Sequence, residues 1–352
     1  MPLEFALTAL PFAVAFVVSL LFGPGVIDML KRRRIGQTIQ ADGPESHKPK
    51  AGTPTMGGLI IIAGVLVGAL VTALALDSLG LSIAPETGIG RDLLPVIILA
   101  VAYGLLGMID DYLTIHPING VRGIASKPKA AVQILIAVAF VMWLAIAKPT
   151  GFMPLLSVAG VPILSGWLYW IFAVVFIAGM ANFVNITDGL DGLVAGLTAI
   201  AALTFVVSTI MIPGTGAAAD LTIYGLMSAI SGACVAFLWF NANPAKVFMG
   251  DTGALAIGAA LPAVAILTHR EILLIIIGMV FILDGLSTAL QWAVFKYTRI
   301  RTGTGRRVFK KSPVHHHFEM SGWPEQTVVV RFWVTGIVAA LVAFSGAAFR
   351  IW

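Results

Sequence analysis

The sequence predicts an all-α polytopic integral membrane protein, on the strength of its composition and its long apolar runs. Apolar residues make up 59% of the chain and charged residues only 11%, and the mean hydropathy is +0.96. A soluble domain is usually about 45–50% apolar and about 25% charged. Several apolar runs reach the roughly 20 residues with which a helix crosses a bilayer. Because these runs are continuous rather than alternating, they favour helices over the strands of a barrel.

Ten of the apolar runs are interpreted as membrane-spanning helices that form one transmembrane domain over residues 1–352. The predicted spans are 6–30, 57–76, 93–109, 130–147, 163–181, 193–212, 222–240, 252–268, 272–295 and 332–350. The first run is followed, not preceded, by its basic cluster, so it is expected to be a span and not a signal peptide. The single cysteine, Cys234, lies inside an apolar run and is expected to be a small buried side chain.

Positive charge predicts which loops face the cytoplasm. The basic cluster 31–34 follows the first span, which places the N-terminus outside, and ten crossings return the C-terminus to the outside as well. In this topology the inside loops hold all 22 Lys and Arg residues except Arg91, Lys148, Arg270 and Arg350. Such an asymmetry is what the positive-inside rule requires. All the polar motifs described next then lie at the cytoplasmic face.

Two adjacent carboxylates, Asp110 and Asp111, end the third predicted span. Neighbouring carboxylates repel each other, and near a membrane they are costly unless a cation joins them. Mg²⁺ prefers one or two carboxylates together with phosphate oxygens and water. The pair is therefore a candidate Mg²⁺ site, with a solvated helix end as the alternative.

A polar strip is predicted at the end of the fifth span. Asn182, Asn185, Asp188 and Asp191 recur every three residues, and residues three apart are neighbours on a helix. Carboxamides and carboxylates arranged in this way can hold a metal or hydrogen-bond a nucleotide. A helix cap followed by a turn is the alternative interpretation, although a cap needs only one such residue.

The segment 241–253 brings further polar residues to the start of the eighth span. Asn241 is a candidate hydrogen-bonding residue, and Asp251 is either the helix N-cap or a cation ligand. Phe248, just before Asp251, would face lipid or stack on a base. The pattern alone leaves these alternatives open.

Three consecutive histidines, His315, His316 and His317, lie between Pro313 and Glu319. Adjacent histidines in an extended loop cannot all face one ion, and the chain offers no cysteine partner nearby, so zinc is disfavoured. Contacts from the imidazoles to phosphate or sugar hydroxyls fit better. A purely structural loop is the alternative.

Several further residues at the same face are functional candidates. Lys50 and Lys129 flank motif loops and could bind phosphate oxygens. Asp284 lies inside the ninth span, and a carboxylate within a membrane-spanning helix is a candidate functional residue. Together with Gln291, it is expected at the floor of the cavity that these motifs form at the cytoplasmic face. The basic stretches 31–34 and 296–311 are interpreted as anchors to anionic lipid.

Five segments in this order closely resemble the bacterial phospho-N-acetylmuramoyl-pentapeptide transferases, a branch of the polyprenyl-phosphate N-acetylhexosamine-1-phosphate transferases. The matching segments are Lys50–Gly58, Asp110–Tyr112, Asn182–Gly192, Asn241–Gly253 and Pro313–Glu319. The resemblance implies transfer of phospho-MurNAc-pentapeptide from UDP-MurNAc-pentapeptide to undecaprenyl phosphate, giving lipid I and UMP. It also implies Mg²⁺, ten spans, the bacterial inner membrane and a homodimer, with no nucleic-acid partner.

The resemblance also implies roles for individual residues. The catalytic candidates are Asp110, Asp111, Asp251, His315, His316, Lys50 and Lys129, and the Mg²⁺ candidates are Asp251, Asp188 and Asp111. The substrate-binding candidates are Asn182, Asn185, Asp188, Asp191, Asn241, Phe248, His317, Thr55 and Gln291. Ala130 and Ala131 stand where relatives often carry bulkier residues, so the alignment does not separate Lys127 clearly from Lys129. Of these two lysines, Lys129 is favoured. The mechanism is left between direct attack and a covalent intermediate, with direct attack favoured.

Two other functions are weighed against this one. A sister enzyme that uses UDP-GlcNAc shares the acidic motifs. An ion-coupled transporter would also carry intramembrane carboxylates, but its polar residues should lie at mid-membrane on several helices. Here they collect at one face, which favours the enzyme. The chain has no soluble-type nucleotide-binding motif.

Overall fold

The computed structural model describes residues 2–36, 50, 52–78, 88–118, 120–147, 153–211 and 217–348, and this part of the chain forms twelve helices and one β-hairpin. The helices are α1 (Pro2–Arg32), α2 (Gly58–Ser78), α3 (Gly88–Ile115), α4 (Ser126–Ala147), α5 (Gly166–Thr187), α6 (Leu193–Met211), α7 (Ala217–Asn241), α8 (Gly250–Leu267), α9 (Glu271–Ile277), α10 (Met279–Thr302), α11 (Val314–Glu319) and α12 (Glu325–Ala348). Ala51, in the first of the five matching segments, lies outside the described residues.

Apolar helices confirm the predicted class of an all-α polytopic membrane protein. Among the described residues, eight helices are long and apolar enough to cross a membrane. Two shorter apolar helices, Leu193–Ser208 and Gly225–Asn241, coincide with the sixth and seventh predicted spans. The count of ten crossings and the side on which the termini lie stay predictions.

The ninth predicted span, 272–295, is divided in the structure. Helix α9 ends at Ile277 and α10 begins at Met279, with Gly278 between them. Helix α9 packs against α12, α8 and α6, whereas α10 packs mainly against α5. A single glycine in an apolar run is compatible with a continuous helix, so the sequence pattern did not reveal this break.

The fifth predicted span, 163–181, begins too early. Strands Leu155–Val158 (β1) and Val161–Ser165 (β2) form an antiparallel hairpin. The turn between them contains Gly160, whose φ of 75° lies in the left-handed region that glycine adopts without a steric penalty. Helix α5 begins only at Gly166, because the β-branched residues and the proline of β2 pair as a strand instead of extending the helix.

Helix α8 is the centre of the bundle. It is enclosed by α3, α5, α2 and α9, and 83% of its apolar window is buried, against 28–39% in the other seven spans. Small residues allow this close packing, as is usual between membrane helices. A Cβ added at Gly107 would overlap the Asp251 carbonyl oxygen, and one at Gly258 would lie 2.7 Å from the Cα of Ala181 on α5. The bundle thus fixes the first turn of α8, which carries Asp251.

Candidate active site

Polar residues from four helices meet where α8 begins. Asp110 and Asp111 lie in the last turns of α3, Lys129 in the first turn of α4, and Asn185 in the last turn of α5. Asp251 is the second residue of α8. Residues far apart in sequence are therefore brought to one end of the bundle.

Lys129 joins two of these carboxylates. Its Nζ donates to Asp110 Oδ2 at 2.9 Å and also to Asp251 Oδ2. Asn185 Nδ2 donates to the other oxygen of Asp251 at 2.7 Å, and the Ile124 N–H donates to Asp110 Oδ1 at 2.5 Å. One ammonium thus balances two carboxylates, which leaves this group with a net negative charge that suits a divalent cation.

Asp111 points to the N-terminus of α8 rather than to Lys129. Its Oδ1 accepts from the Asp251 N–H at 3.2 Å, and its Oδ2 accepts from the N–H and the hydroxyl of Thr252 at 3.0 and 2.7 Å. The first N–H groups of a helix lack partners within it and favour a negative charge. Asp111 therefore caps α8 from another helix and fixes the backbone of Asp251.

Asp188 is the residue at which α5 ends. Its pKa is raised to about 8 by burial and then by the negative charges of Asp251 and Asp111, against a hydrogen bond from the Gly250 N–H. Carboxylates this close to one another are stable as anions only when a cation is near. The negative charges of Asp251 and Asp111 near Asp188 therefore favour a cation in this region.

The donor set fits Mg²⁺. Within the described ranges, no group of three His, Cys, Asp or Glu side chains is arranged to enclose a metal by itself. Mg²⁺ does not require such a group, because it commonly takes one or two carboxylates and fills its other positions with substrate phosphates and water. Asp251 and Asp188 are two carboxylates that could hold it, and the oxygens of Asp111, the third candidate, accept hydrogen bonds from the first residues of α8.

A second polar network surrounds Lys50. Its Nζ donates to Asp191 Oδ1 at 2.7 Å and to Glu325 Oε1 at 2.5 Å. The other oxygen of Asp191 accepts from Asn243 Nδ2 at 3.0 Å and from the Ala245 N–H at 3.1 Å. The network joins three loops and the start of α12.

The predicted polar strip at the end of α5 is not one helical face. Helix α5 ends at Thr187, so Asp188 and Asp191 lie in the turn that follows. Asn185 reaches Asp251, whereas Asn182 lies one turn earlier and donates to Gln133 Oε1 at 2.8 Å. Because of this turn, the four side chains are divided among the group around Asp251, the network around Lys50 and the interior of the bundle.

Asn241, Phe248 and Thr55 lie where the loops pack together. Asn241 Nδ2 donates to the Val247 carbonyl at 2.9 Å, and its Oδ1 accepts from the Gly192 N–H at 3.0 Å. The Phe248 N–H donates to the Pro54 carbonyl at 2.8 Å, and Phe248 itself is half-buried. The buried Thr55 hydroxyl lies beside Gly250.

The histidines form a short helix, α11, and not the extended loop that was predicted. His315 is fully buried, its Nδ1 lies 2.6 Å from Asp284 Oδ2, and its N–H donates to Asp284 Oδ1 at 3.2 Å. Its Nε2 has no partner in the described part of the chain and points to Gly189. Asp284 thus orients the ring so that Nε2 faces the turn containing Asp188.

The two other histidines have different surroundings. His316 Nδ1 lies 2.7 Å from Glu319 Oε2, and burial lowers the pKa of His316. His317 Nδ1 accepts from the Lys310 N–H at 3.1 Å. The side-chain amide of Gln291 also forms hydrogen bonds with this region, to the backbone of Val308 and Phe309. The contacts of Gln291 and His317 therefore hold the segment before α11.

Two residues of these networks were not among the sequence-based candidates. Glu325 follows a proline at the start of α12, where an acidic residue is usual at a helix N-terminus. Asn243 lies in the cis Asn243–Pro244 bond and belongs to a matching segment without having been singled out. Neither pattern predicts a contact with Lys50, which lies 275 positions from Glu325.

Comparisons with known proteins identify the family of this chain. The model of glycosyl transferase family 4 matches residues 93–269, and phospho-N-acetylmuramoyl-pentapeptide-transferase signature 1 matches residues 50–62. The chain is 41% identical over 335 residues to a phospho-N-acetylmuramoyl-pentapeptide-transferase of Shouchella clausii, covering 95% of this chain and 94% of the relative. It is 40% identical over 331 residues to one of Bacillus cytotoxicus, covering 94% of each. The chain therefore belongs to glycosyl transferase family 4, in its phospho-N-acetylmuramoyl-pentapeptide-transferase branch.

Proposed function

We propose that this protein transfers phospho-MurNAc-pentapeptide from UDP-MurNAc-pentapeptide to undecaprenyl phosphate, giving lipid I and UMP in peptidoglycan synthesis. The observation that carries the proposal is the group in which Lys129 joins Asp110 and Asp251 at the end of a membrane-spanning bundle. A lipid phosphate and a soluble nucleotide can meet only at such a membrane face. The names of the relatives specify phospho-N-acetylmuramoyl-pentapeptide as the group that those proteins transfer.

An apolar groove supports a lipid acceptor. It lies between α10 and α12 and has a volume of about 760 Å³. Its lining includes Leu283, Leu286 and Leu290 of α10 and Phe332 of α12, and the three leucines are exposed at the surface of the bundle. Asp284, the partner of His315, also lines it. We place the polyprenyl chain here, with its phosphate towards the carboxylates.

Direct attack is the chemistry that this arrangement favours. An oxygen of undecaprenyl phosphate forms a bond to the sugar-bearing phosphorus of the donor, and the bond from that phosphorus to the UMP oxygen breaks. Phosphoryl transfer depends mainly on positioning and charge neutralisation. Lys129 neutralises phosphate oxygens, and Asp110 accepts the proton of an acceptor that is still singly protonated. Asp251 and Asp188 would hold Mg²⁺, which would supply further positive charge at the phosphates when bound.

The remaining candidates are assigned by their surroundings. Asn185 orients Asp251, and Asp111 fixes the backbone of Asp251. His315 offers Nε2 to the substrate beside Gly189. We place Phe248, which is half-buried beside the loop that contains Pro54, at the nucleotide. We also propose the inner membrane, a cytoplasmic active site and a homodimer, following the charge distribution and the resemblance.

Purified protein in detergent tests the proposal. With Mg²⁺ and undecaprenyl phosphate it should release UMP from UDP-MurNAc-pentapeptide, and it should release none when the lipid is omitted. A stoichiometric burst of UMP without the lipid would instead show a covalent intermediate. Turnover of UDP-GlcNAc, but not of the muramoyl-pentapeptide donor, would establish the sister activity in its place.

A further inference from the structure

Glu325 connects the start of α12 to the Lys50 network. Its Oε1 accepts from Lys50 Nζ at 2.5 Å and from the Asp191 N–H at 2.9 Å. Its Oε2 accepts from Asn243 Nδ2 at 3.3 Å. The Glu325 side chain is only 8% exposed, and that of Asp191 only 1%. One buried carboxylate therefore contacts three of the polar groups that hold the loops together.

The charges in this network constrain Lys50. Its ammonium is shared by two carboxylates, so the group of Lys50, Asp191 and Glu325 has a net negative charge. Its two carboxylate partners fix the direction of its remaining N–H, because charge-assisted hydrogen bonds are short and strong.

Glu325 and Asp191 do not duplicate each other. Asp191 uses its carboxylate for Lys50, Asn243 and the Ala245 N–H, while its own N–H is taken by Glu325. Removing the charge of Glu325 would therefore leave Asp191 as the only carboxylate partner of Lys50 and weaken the hydrogen bond that holds the turn after α5. That turn begins at Asp188, one of the two proposed cation ligands.

We propose that Glu325 is a positioning residue for nucleotide binding, which acts by holding Lys50 and the turn 188–192 in place. This inference rests on the proposed function, and it assigns to α12 a part in the donor site. Glu325 itself does not touch the reacting phosphates. Its effect should therefore fall on nucleotide affinity rather than on the chemical step.

A double-mutant cycle tests this proposal in the purified full-length protein. UMP affinity, measured by calorimetry, and the KM and kcat of the donor are compared in the wild type, Glu325→Gln, Lys50→Met and the double variant. We expect Glu325→Gln to weaken UMP binding and raise KM by about tenfold, with kcat nearly unchanged. In the Lys50→Met background the same change should have much less effect, because the two residues act as a unit.

Two further variants separate positioning from folding. Glu325→Asp keeps the charge on a shorter side chain and should recover part of the UMP affinity. Gln326→Ala changes an exposed neighbour that bonds only Asn243 among the network residues, and it should bind UMP as the wild type does. Equal effects of Glu325→Gln with and without Lys50, or an unchanged KM and UMP affinity, would overturn the inference. If the wild type bound UMP but released none from the donor, the proposed function would fail instead.

Discussion

Lys129 lies between Asp110 and Asp251, and this position determines how the carboxylates of the site share their charge. The sequence favoured Lys129 over Lys127 as a phosphate-binding residue, but it did not predict that Lys129 contacts the carboxylates. The structure places Lys129 against the carboxylates, whereas Lys127 is exposed. Two residues on the first turn of one helix thus have different surroundings, which makes them a matched pair for mutation.

Replacing Lys129 by Met should lower kcat by about 100-fold or more, because removing one group that stabilises developing charge usually costs this much. Lys127→Met should keep kcat within about twofold, since an exposed lysine makes no comparable contact. Steady-state release of UMP measures both. Similar losses in the two variants would contradict the role given to Lys129.

Asp111→Asn distinguishes a helix cap from a metal ligand. If Asp111 caps α8, the variant should lose about 1 kcal/mol of stability and some kcat, with an unchanged Mg²⁺ concentration for half-maximal activity. Thermal unfolding in detergent and a Mg²⁺ titration of UMP release measure these two quantities. A large increase in the Mg²⁺ requirement would show that Asp111 is a ligand of the ion.

At the scale of the elements, periodicity and composition predicted where most of the helices lie but not how they end. The four polar residues from 182 to 191 have helical spacing, yet α5 stops at Thr187 and the later two lie in a turn. The break at Gly278 and the β-hairpin before α5 were missed for a related reason. Such ends depend on tertiary contacts that no local pattern contains. The side-chain pairs of the site were missed as well, since Glu325 and Lys50 come from distant segments.

The close contact between α3 and α8 gives a prediction at this scale. In Gly107→Ala the new methyl group would overlap the Asp251 carbonyl oxygen, so α8 must shift. We expect a loss of about 1–3 kcal/mol in stability together with a lower kcat. Gly179→Ala is the control, because nothing lies within 4 Å of an added Cβ there. A fully active and stable Gly107→Ala protein would show that the two helices need not touch.

At the scale of the whole molecule, the asymmetry of positive charge predicts which face carries the site. Cys234 is the only cysteine of the chain and is buried, as the sequence predicted. Single cysteines can therefore be introduced into a Cys234→Ala background and labelled from either side of the membrane. Cysteines at Arg33 and Arg306 should react with an impermeant maleimide only from the cytoplasmic side, and one at Arg270 only from the outside. The reverse labelling pattern would show that the topology is the opposite of the one predicted.

In the proposed function, the carboxylates joined by Lys129 carry out a Mg²⁺-dependent transfer from nucleotide to lipid. The most direct measurement follows radiolabelled phospho-MurNAc-pentapeptide from UDP-MurNAc-pentapeptide into the lipid fraction, together with the release of UMP. We expect one labelled lipid for each UMP in the wild type, and neither product after chelation of Mg²⁺ or in Asp251→Ala and Asp110→Asn proteins that remain folded. Near-normal transfer in either variant, or UMP released without labelled lipid, would contradict it.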